Sequence, residues 1–348
     1  MENIFVFPSV LEENYRNFEK VADEFLDGIK ICDFNSKDYI IGNLALKEGV
    51  SPHKFLNSSS EDIDYQILSL TALLIATQGE YSKFVVTTGF PFSTYQAFRM
   101  GAANFLNGNK SINFDTRPIG GKSNEVVDFS VSEVEVMTEV EGAIKYIRDG
   151  ELKEKNNFLL ASIGYGTFEL ALSRPEGLVY RTAASTNGII YAIKLLEAEL
   201  QKTYYTSLHT DQQLERAFQR GNIVINRKKI DLFELRNKVL ESYYNEVISP
   251  SIRRNITDED FYDVEKIYLV GGGALFHQLV ELFNKEFKDI LNVVVVPSPN
   301  LAASRGYCLK SVEVARERIT TLEDRSSYAC VGLDLGNNNT VVTVNSKF

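Results

Sequence analysis

The chain has 348 residues, 44% apolar and 24% charged, so it can bury a sizeable core and by its length leans towards two domains. Its formal net charge of −10 disfavours direct non-specific binding to DNA or RNA, which needs a basic surface to displace counterions. Three separated cysteines (Cys32, Cys308, Cys330) and three scattered histidines (His53, His209, His277) argue against a disulfide framework, a zinc site or a His-rich metal site, and fit a reducing, cytoplasmic setting.

The opening "MENIFVFPSVLEENYRNFEK" has no basic n-region and no long apolar stretch, so it does not read as a signal peptide. No run approaches the length of a membrane span. "NIFVFPSV" predicts a short strand stopped by Pro8, and short strands such as "KDYIIGNLAL" follow. Residues 61–78 have helical apolar spacing, with Ser60 as N-cap and Gly79 just past the end. "KFVVTTGFP" predicts a buried strand, and "STYQAFRMGAANFL" a helix starting at Ser93 or Thr94. Residues 107–124, rich in Gly, Asn and Ser, read as a loop. "EVVDFSVSEVEVM" predicts a long strand, and a short helix follows over Glu141 to Arg148. "NNFLLASIGYGTFELALS" predicts two strands about a glycine turn, "GLVYRTAAS" a third, and Asn187 to Tyr205 a helix. Residues 206–262 read as a polar, mainly helical subdomain. "VEKIYLVGGGALFHQLVELFNKEF" is strand, glycine loop, helix; "ILNVVVVPSPN" is a buried strand; "NLAASRGYCLKSVEVARERI" is a helix. A polar connector, 319–328, leads into a last strand–turn–strand, "VGLDLGNNNTVVTVNSKF". Strands alternating with helices imply α/β layers with partly parallel sheets.

Three glycine-containing stretches carry candidate chemistry. In "LDLGNNNT", successive peptide N–H groups of Gly336, Asn337, Asn338, Asn339 and Thr340 can form a concavity for an anion, while Asp334 suits a magnesium ion held largely through water. An ordinary Asn-Gly turn would explain the same residues. In "ASIGYGTFEL", Gly164, Tyr165, Gly166 and Thr167 allow close approach of a phosphate, although a plain hairpin fits as well. In "IYLVGGGALFHQL", Gly271, Gly272, Gly273 and Ala274 bring a ligand near a helix N-terminus, and a simple strand–helix turn rarely needs three glycines. The chain has no P-loop, and this stretch is not a Rossmann fingerprint.

Together the three stretches resemble those of the actin-like ATPase superfamily. "FVFPSVL", "TTGFPFSTYQAF" and "PNLAASRGY" are similar to segments of its ParM-like plasmid-segregation members. The resemblance implies an α/β, actin-like (ribonuclease H-like) two-lobed fold, with one phosphate hairpin per lobe and a nucleotide cleft. Lobe I would comprise 1–150 plus 300–348, and lobe II 151–299. The order of segments differs from the family's: the first hairpin, 331–345, stands last. The chain thus resembles a circularly permuted ParM-like protein, whose last strand should pair beside "NIFVF" and whose new linker is 319–328.

The resemblance further implies ATP (or GTP) and Mg2+ as cofactors, with hydrolysis by an in-line water. In "VMTEVEGAI", Glu139 best matches the water-positioning carboxylate and Glu141 is the fallback; either would also suit a helix start. Two positions depart from the pattern: Ser162 replaces an acid at the start of the second hairpin, and Val341 a lysine after the first. Ser162 could still bond metal-bound water, leaving Asp334 as the main metal residue. On the adenine side only Glu215 and Arg216 suggest themselves. The implied activity is an ATPase, slow to the extent that Ser162 and Val341 weaken its metal and phosphate contacts, that polymerises on itself and segregates plasmid DNA through a DNA-binding adaptor, touching DNA only indirectly and no membrane. A nucleotide-binding scaffold with little hydrolysis and a small-molecule kinase of the same fold are the alternatives.

Overall fold

The computed structural model describes residues 2–33, 36–55, 59–77, 81–204, 211–319 and 327–346. It divides into two compact units, Met1–Glu154 with Leu301–Phe348, and Lys155–Asn300.

In chain order the first unit contains β1 (Glu2–Pro8), β2 (Val10–Glu13), β3 (Lys30–Cys32), β4 (Asp38–Ile41), α1 (Asn43–Glu48), β5 (His53–Lys54), α2 (Ile63–Ala76), β6 (Lys83–Phe90), α3 (Tyr95–Leu106), β7 (Gly108–Asp115), β8 (Asn124–Thr138) and α4 (Glu139–Asp149). The second unit contains β9 (Phe158–Ile163), β10 (Thr167–Arg174), β11 (Gly177–Asn187), α5 (Ile190–Tyr204), α6 (Asp211–Arg220), β12 (Asn222–Ile225), β13 (Lys228–Asp231), α7 (Phe233–Tyr243), α8 (Ser249–Asn255), α9 (Asp258–Phe261), β14 (Lys266–Val270), α10 (His277–Phe287) and β15 (Asn292–Val295). The chain then returns to the first unit with α11 (Ala302–Arg318), β16 (Tyr328–Leu335) and β17 (Asn339–Asn345).

The first unit is built on a ten-stranded sheet in the order β1-β17-β16-β6-β8-β7-β3-β4-β2-β5. β16, β6 and β8 run parallel, while β17 folds back antiparallel beside β16 and β1 pairs antiparallel with β17. Successive side chains of β16 point to opposite faces. Ala329, Val331 and Leu333 pack with α2, which is apolar nearly all round and accordingly buried. Cys330 packs with Val312 and Ala315 of α11. The Ser304 hydroxyl at the start of α11 donates to the carbonyl of Gly332, 3.0 Å away.

Helices α11 and α4 meet where neither has a side chain in the way. A Cβ on Gly306 would collide with the carbonyl of Gly142, and one on Gly142 with the ring of Tyr307. α4 opens with a capping box: Glu141 N–H donates to the Thr138 hydroxyl at 3.1 Å, and Thr138 N–H to the Glu141 carboxylate at 3.0 Å.

The second unit holds a five-stranded sheet in the order β11-β10-β9-β14-β15, in which β9, β14 and β15 are parallel. A separate two-stranded hairpin, β12–β13, buries Ile223 and Ile225 against this unit's core.

Several sequence expectations change in detail. Residues 107–124 are not all loop: β7 occupies Gly108–Asp115, because Ile112 and Phe114 alternate inward among the polar residues. After β4, "NLALKE" forms the short helix α1 rather than more strand. Ser60 does not cap α2; the helix starts at Ile63 after Asp62, in a turn where Asp62 N–H donates to the Ser59 carbonyl at 3.0 Å. The 206–262 subdomain contains the β12–β13 hairpin, whose Asn226 and Arg227 both have positive φ (49° and 64°), as the tight hairpin turn requires. β11 extends to Asn187, so α5 begins at Ile190. Gly79, Tyr205, His209 and connector residues 320–326 lie outside the described residues. Among the described residues no helix is long and apolar enough to cross a membrane.

Candidate functional site

In the first unit the parallel register puts the carboxyl ends of three strands at one edge of the sheet. Leu333 pairs with Thr88, and Thr88 with Val136, so Asp334, Gly89 and Met137 lie level, each one residue before its strand's end. Glu139 opens α4 two residues further on. Ligands of open α/β sheets bind outside the carboxyl ends of such strands. Glu141, in contrast, is occupied in the capping box.

The turn after Asp334 is fastened from the other end of the chain. Ser9 N–H donates to the carbonyl of Asn338 at 2.9 Å. The Ser9 hydroxyl donates to the carbonyl of Gly336 at 2.5 Å and lies 2.9 Å from the hydroxyl of Thr340. Ser9 and Thr340 are fully buried. The "FPS" stretch is therefore the clamp of this turn: β1 delivers Ser9 beneath it, and its bonds take up two turn carbonyls. Thr340 contributes its side chain to the clamp, whereas Gly336, Asn337, Asn338 and Asn339 keep some exposure. Lys54, at the end of β5, donates from Nζ to the Asn338 side-chain oxygen at 3.2 Å.

Burial pushes the Asp334 carboxyl up to about 7. A half-buried carboxyl held protonated in this way gains from a cation, which would restore its charge. No group of three metal-ligating side chains exists among the described residues. Mg2+ does not need one, since it keeps several waters and takes one or two carboxylates. The donors present therefore fit magnesium better than a metal that demands a full protein cage.

In the second unit the hairpin turn and the glycine stretch adjoin. Val270 of β14 pairs with Ser162 of β9. A Cβ on Gly273 would strike the side chain of Ile163, and Gly271, at φ 83°, would strike its carbonyl, so only glycine lets this turn lie against the hairpin. Gly272–Leu275 form a single 3-10 turn before α10, so the glycines do not run directly into the helix. The carbonyls of Gly164, Tyr165 and Gly166 accept from the N–H groups of Ile189, Ile190 and Gly188 at 3.0, 2.9 and 3.0 Å. These bonds fix the turn from one side, and Gly164 N–H closes it by donating to the Thr167 carbonyl at 2.8 Å. Phe218 of α6 packs on Phe276, ring centroids 5.3 Å apart, which brings the helix carrying Glu215 and Arg216 beside the glycine turn. Glu215 is buried and Arg216 exposed.

Sequence reasoning passed over two residues. Glu169 is fully buried on β10, directly across from Ser162. It supplies a carboxylate one strand away from the position where an acid is missing. Its only signal was the alternation of "TFELAL", which reads equally as plain strand. Lys54 carried no signal at all, because its contact with Asn338 spans 284 positions.

A model of the actin-like proteins' N-terminal domain matches residues 2–142, and a model of the C-terminal domain of the archaeal MreB-like actin homologue matches 162–281. The chain belongs to the actin-like proteins. Solved structures agree in fold. An archaeal actin homologue superposes with a TM-score of 0.70 at 18% identity, covering 89% of this chain and 92% of that one; its complex with ADP superposes at 0.64, also at 18%, covering 83% and 89%. A ParM from a 15-stranded Clostridium botulinum filament gives 0.67 at 17%, covering 88% and 92%. Bacillus thuringiensis ParM with ATP gives 0.58 at 12%, covering 89% and 92%. No curated protein sequence matches. The strand–turn–strand at 331–345 stands outside both matched ranges.

Proposed function

We propose that this chain binds ATP or GTP with Mg2+, polymerises on itself, hydrolyses the nucleotide in the filament and thereby moves plasmid DNA through a DNA-binding adaptor. The observation that carries this reading is that each unit holds one clamped strand–turn–strand, with Asp334 at the first and the Gly271–Ala274 turn packed against the second. Structural relatives were solved with ADP, with ATP and as a filament, which supports nucleotide binding and self-assembly. The acidic charge suits a protein that engages DNA through an adaptor.

In this reading the turn N–H groups of Gly336–Asn339 and of Tyr165–Thr167 donate to phosphate oxygens, while Gly164 N–H stays bonded to the Thr167 carbonyl at 2.8 Å, and the Gly271–Ala274 turn lies against the nucleoside. Asp334 would hold a magnesium ion through water, since Mg2+ keeps several waters and takes few carboxylates. When bound, such an ion would supply positive charge against that developing on the transferred phosphoryl group. Glu139 orients and deprotonates the attacking water. The segment order is that of a circular permutation, supported by the register that places Asn345 opposite Glu2 on neighbouring antiparallel strands.

Light scattering with ATP and Mg2+ should rise and then decay as phosphate appears. A flat trace at high protein concentration refutes assembly; a rise that persists without phosphate release supports the scaffold reading that Ser162 and Val341 raise. Glu139→Ala should still polymerise but release phosphate on the order of 100-fold more slowly. Unchanged release removes Glu139 from the mechanism.

A further inference from the structure

We infer that Lys54 is a phosphate-binding residue, supplying from β5 the positive charge that the position of Val341 lacks. The inference rests on the nucleotide-binding reading above and assigns a ligand contact within it.

Three observations carry it. First, Val341 cannot serve: it is almost completely buried, paired between Asp334 and Val6 in the middle of the meander. Second, the clamped turn presents peptide dipoles and asparagine amides but no cation of its own. A nucleoside di- or triphosphate brings several negative charges, and charge-assisted hydrogen bonds to phosphate are about twice as strong as neutral ones. Third, Lys54 is held at this turn by the same strand that builds it. β5 pairs antiparallel with β2, Val10 opposite Lys54, and Phe55 N–H donates to the Ser9 carbonyl at 3.0 Å. Its ammonium group reaches Asn338 in the turn, 3.2 Å from the side-chain oxygen. Side chains alternate along a strand, so His53 points the other way, where it meets Asp64 at 3.0 Å and leaves Lys54 on the turn side.

The contact with Asn338 also orients the turn. An ammonium group can only donate, so it claims the amide oxygen of Asn338 and leaves the amide NH2 directed elsewhere as a donor. Lysine and asparagine together form a donor pair at the tip of the first hairpin.

The test is nucleotide affinity of the full chain, measured with ATP, ADP and adenosine for the parent, Lys54→Ala, Lys54→Gln and Lys54→Arg, alongside melting temperatures. Lys54→Ala and Lys54→Gln should lose about 10- to 100-fold for ATP and ADP with adenosine unchanged, and Lys54→Arg should stay within a few fold of the parent. Parental affinity for ATP in Lys54→Ala overturns the inference. So does full recovery in Lys54→Gln, which would make the residue a neutral tether of the turn, and so does an equal loss for adenosine. A parent that binds no nucleotide refutes the functional reading and the lysine's role with it. A parent that binds while the variants bind alike refutes the lysine alone.

Discussion

Asp334 places a carboxyl where water reaches it poorly. With its pKa pushed up to about 7 against roughly 3.9 in an unfolded chain, the folded protein keeps a proton that the unfolded chain releases. Between about pH 4 and pH 7 the native state therefore binds more protons, and stability of the metal-free protein should fall as pH rises through that window, then level off. Asp334→Asn should remove this slope, leaving the variant more stable than the parent at pH 8 and equal to it near pH 4. Melting temperatures across that range in chelator decide the matter; parallel profiles would mean that Asp334 does not titrate as its burial implies. Asp334 and the glycines were legible because strand-end acid and turn residues sit side by side in "LDLGNNNT". Lys54 and Glu169 were not, since only strand pairing brings Lys54 onto Asn338 and sets Glu169 across from Ser162.

Among the elements, the α4–α11 contact has the most leverage on the candidate chemistry, because α4 begins with Glu139. The two helices approach so closely at Gly142 and Gly306 that a methyl group has nowhere to go. Gly306→Ala should destabilise the protein by about 1–3 kcal/mol or more, through the backbone shift it forces. Urea unfolding would show this, and a midpoint within error of the parent would mean the helices can separate freely. The pattern of apolar residues was enough to place both helices, but not their contact, since a glycine inside a helix looks like a weak point until its neighbour is known. The same limit hid β7, where the alternation of Ile112 and Phe114 is diluted by Gly, Asn and Ser, and β12–β13, whose strands are only four residues each.

For the whole molecule, the meander β1-β17-β16 draws its strands from residues 2–8 and 328–345. Should the permutation reading hold, a variant with Asn345 joined to Glu2 by a short linker and opened within 320–326 will fold and bind nucleotide as the parent does. Failure to fold would count against it, because a strand pair in this register tolerates a turn at that end. The repeated two-hairpin plan was legible along the chain, whereas the clamp of Ser9 on Gly336 became visible only once the meander had formed.

That meander also sets a schedule for synthesis. The second unit is continuous, from Lys155 to Asn300, and can fold as soon as it has emerged from the ribosome. The first unit is made earlier but cannot finish: until β16 arrives, β6 presents an unpaired edge and β1 has no neighbour. The half that is translated first therefore completes last, and through that interval an open strand edge must be kept from other chains.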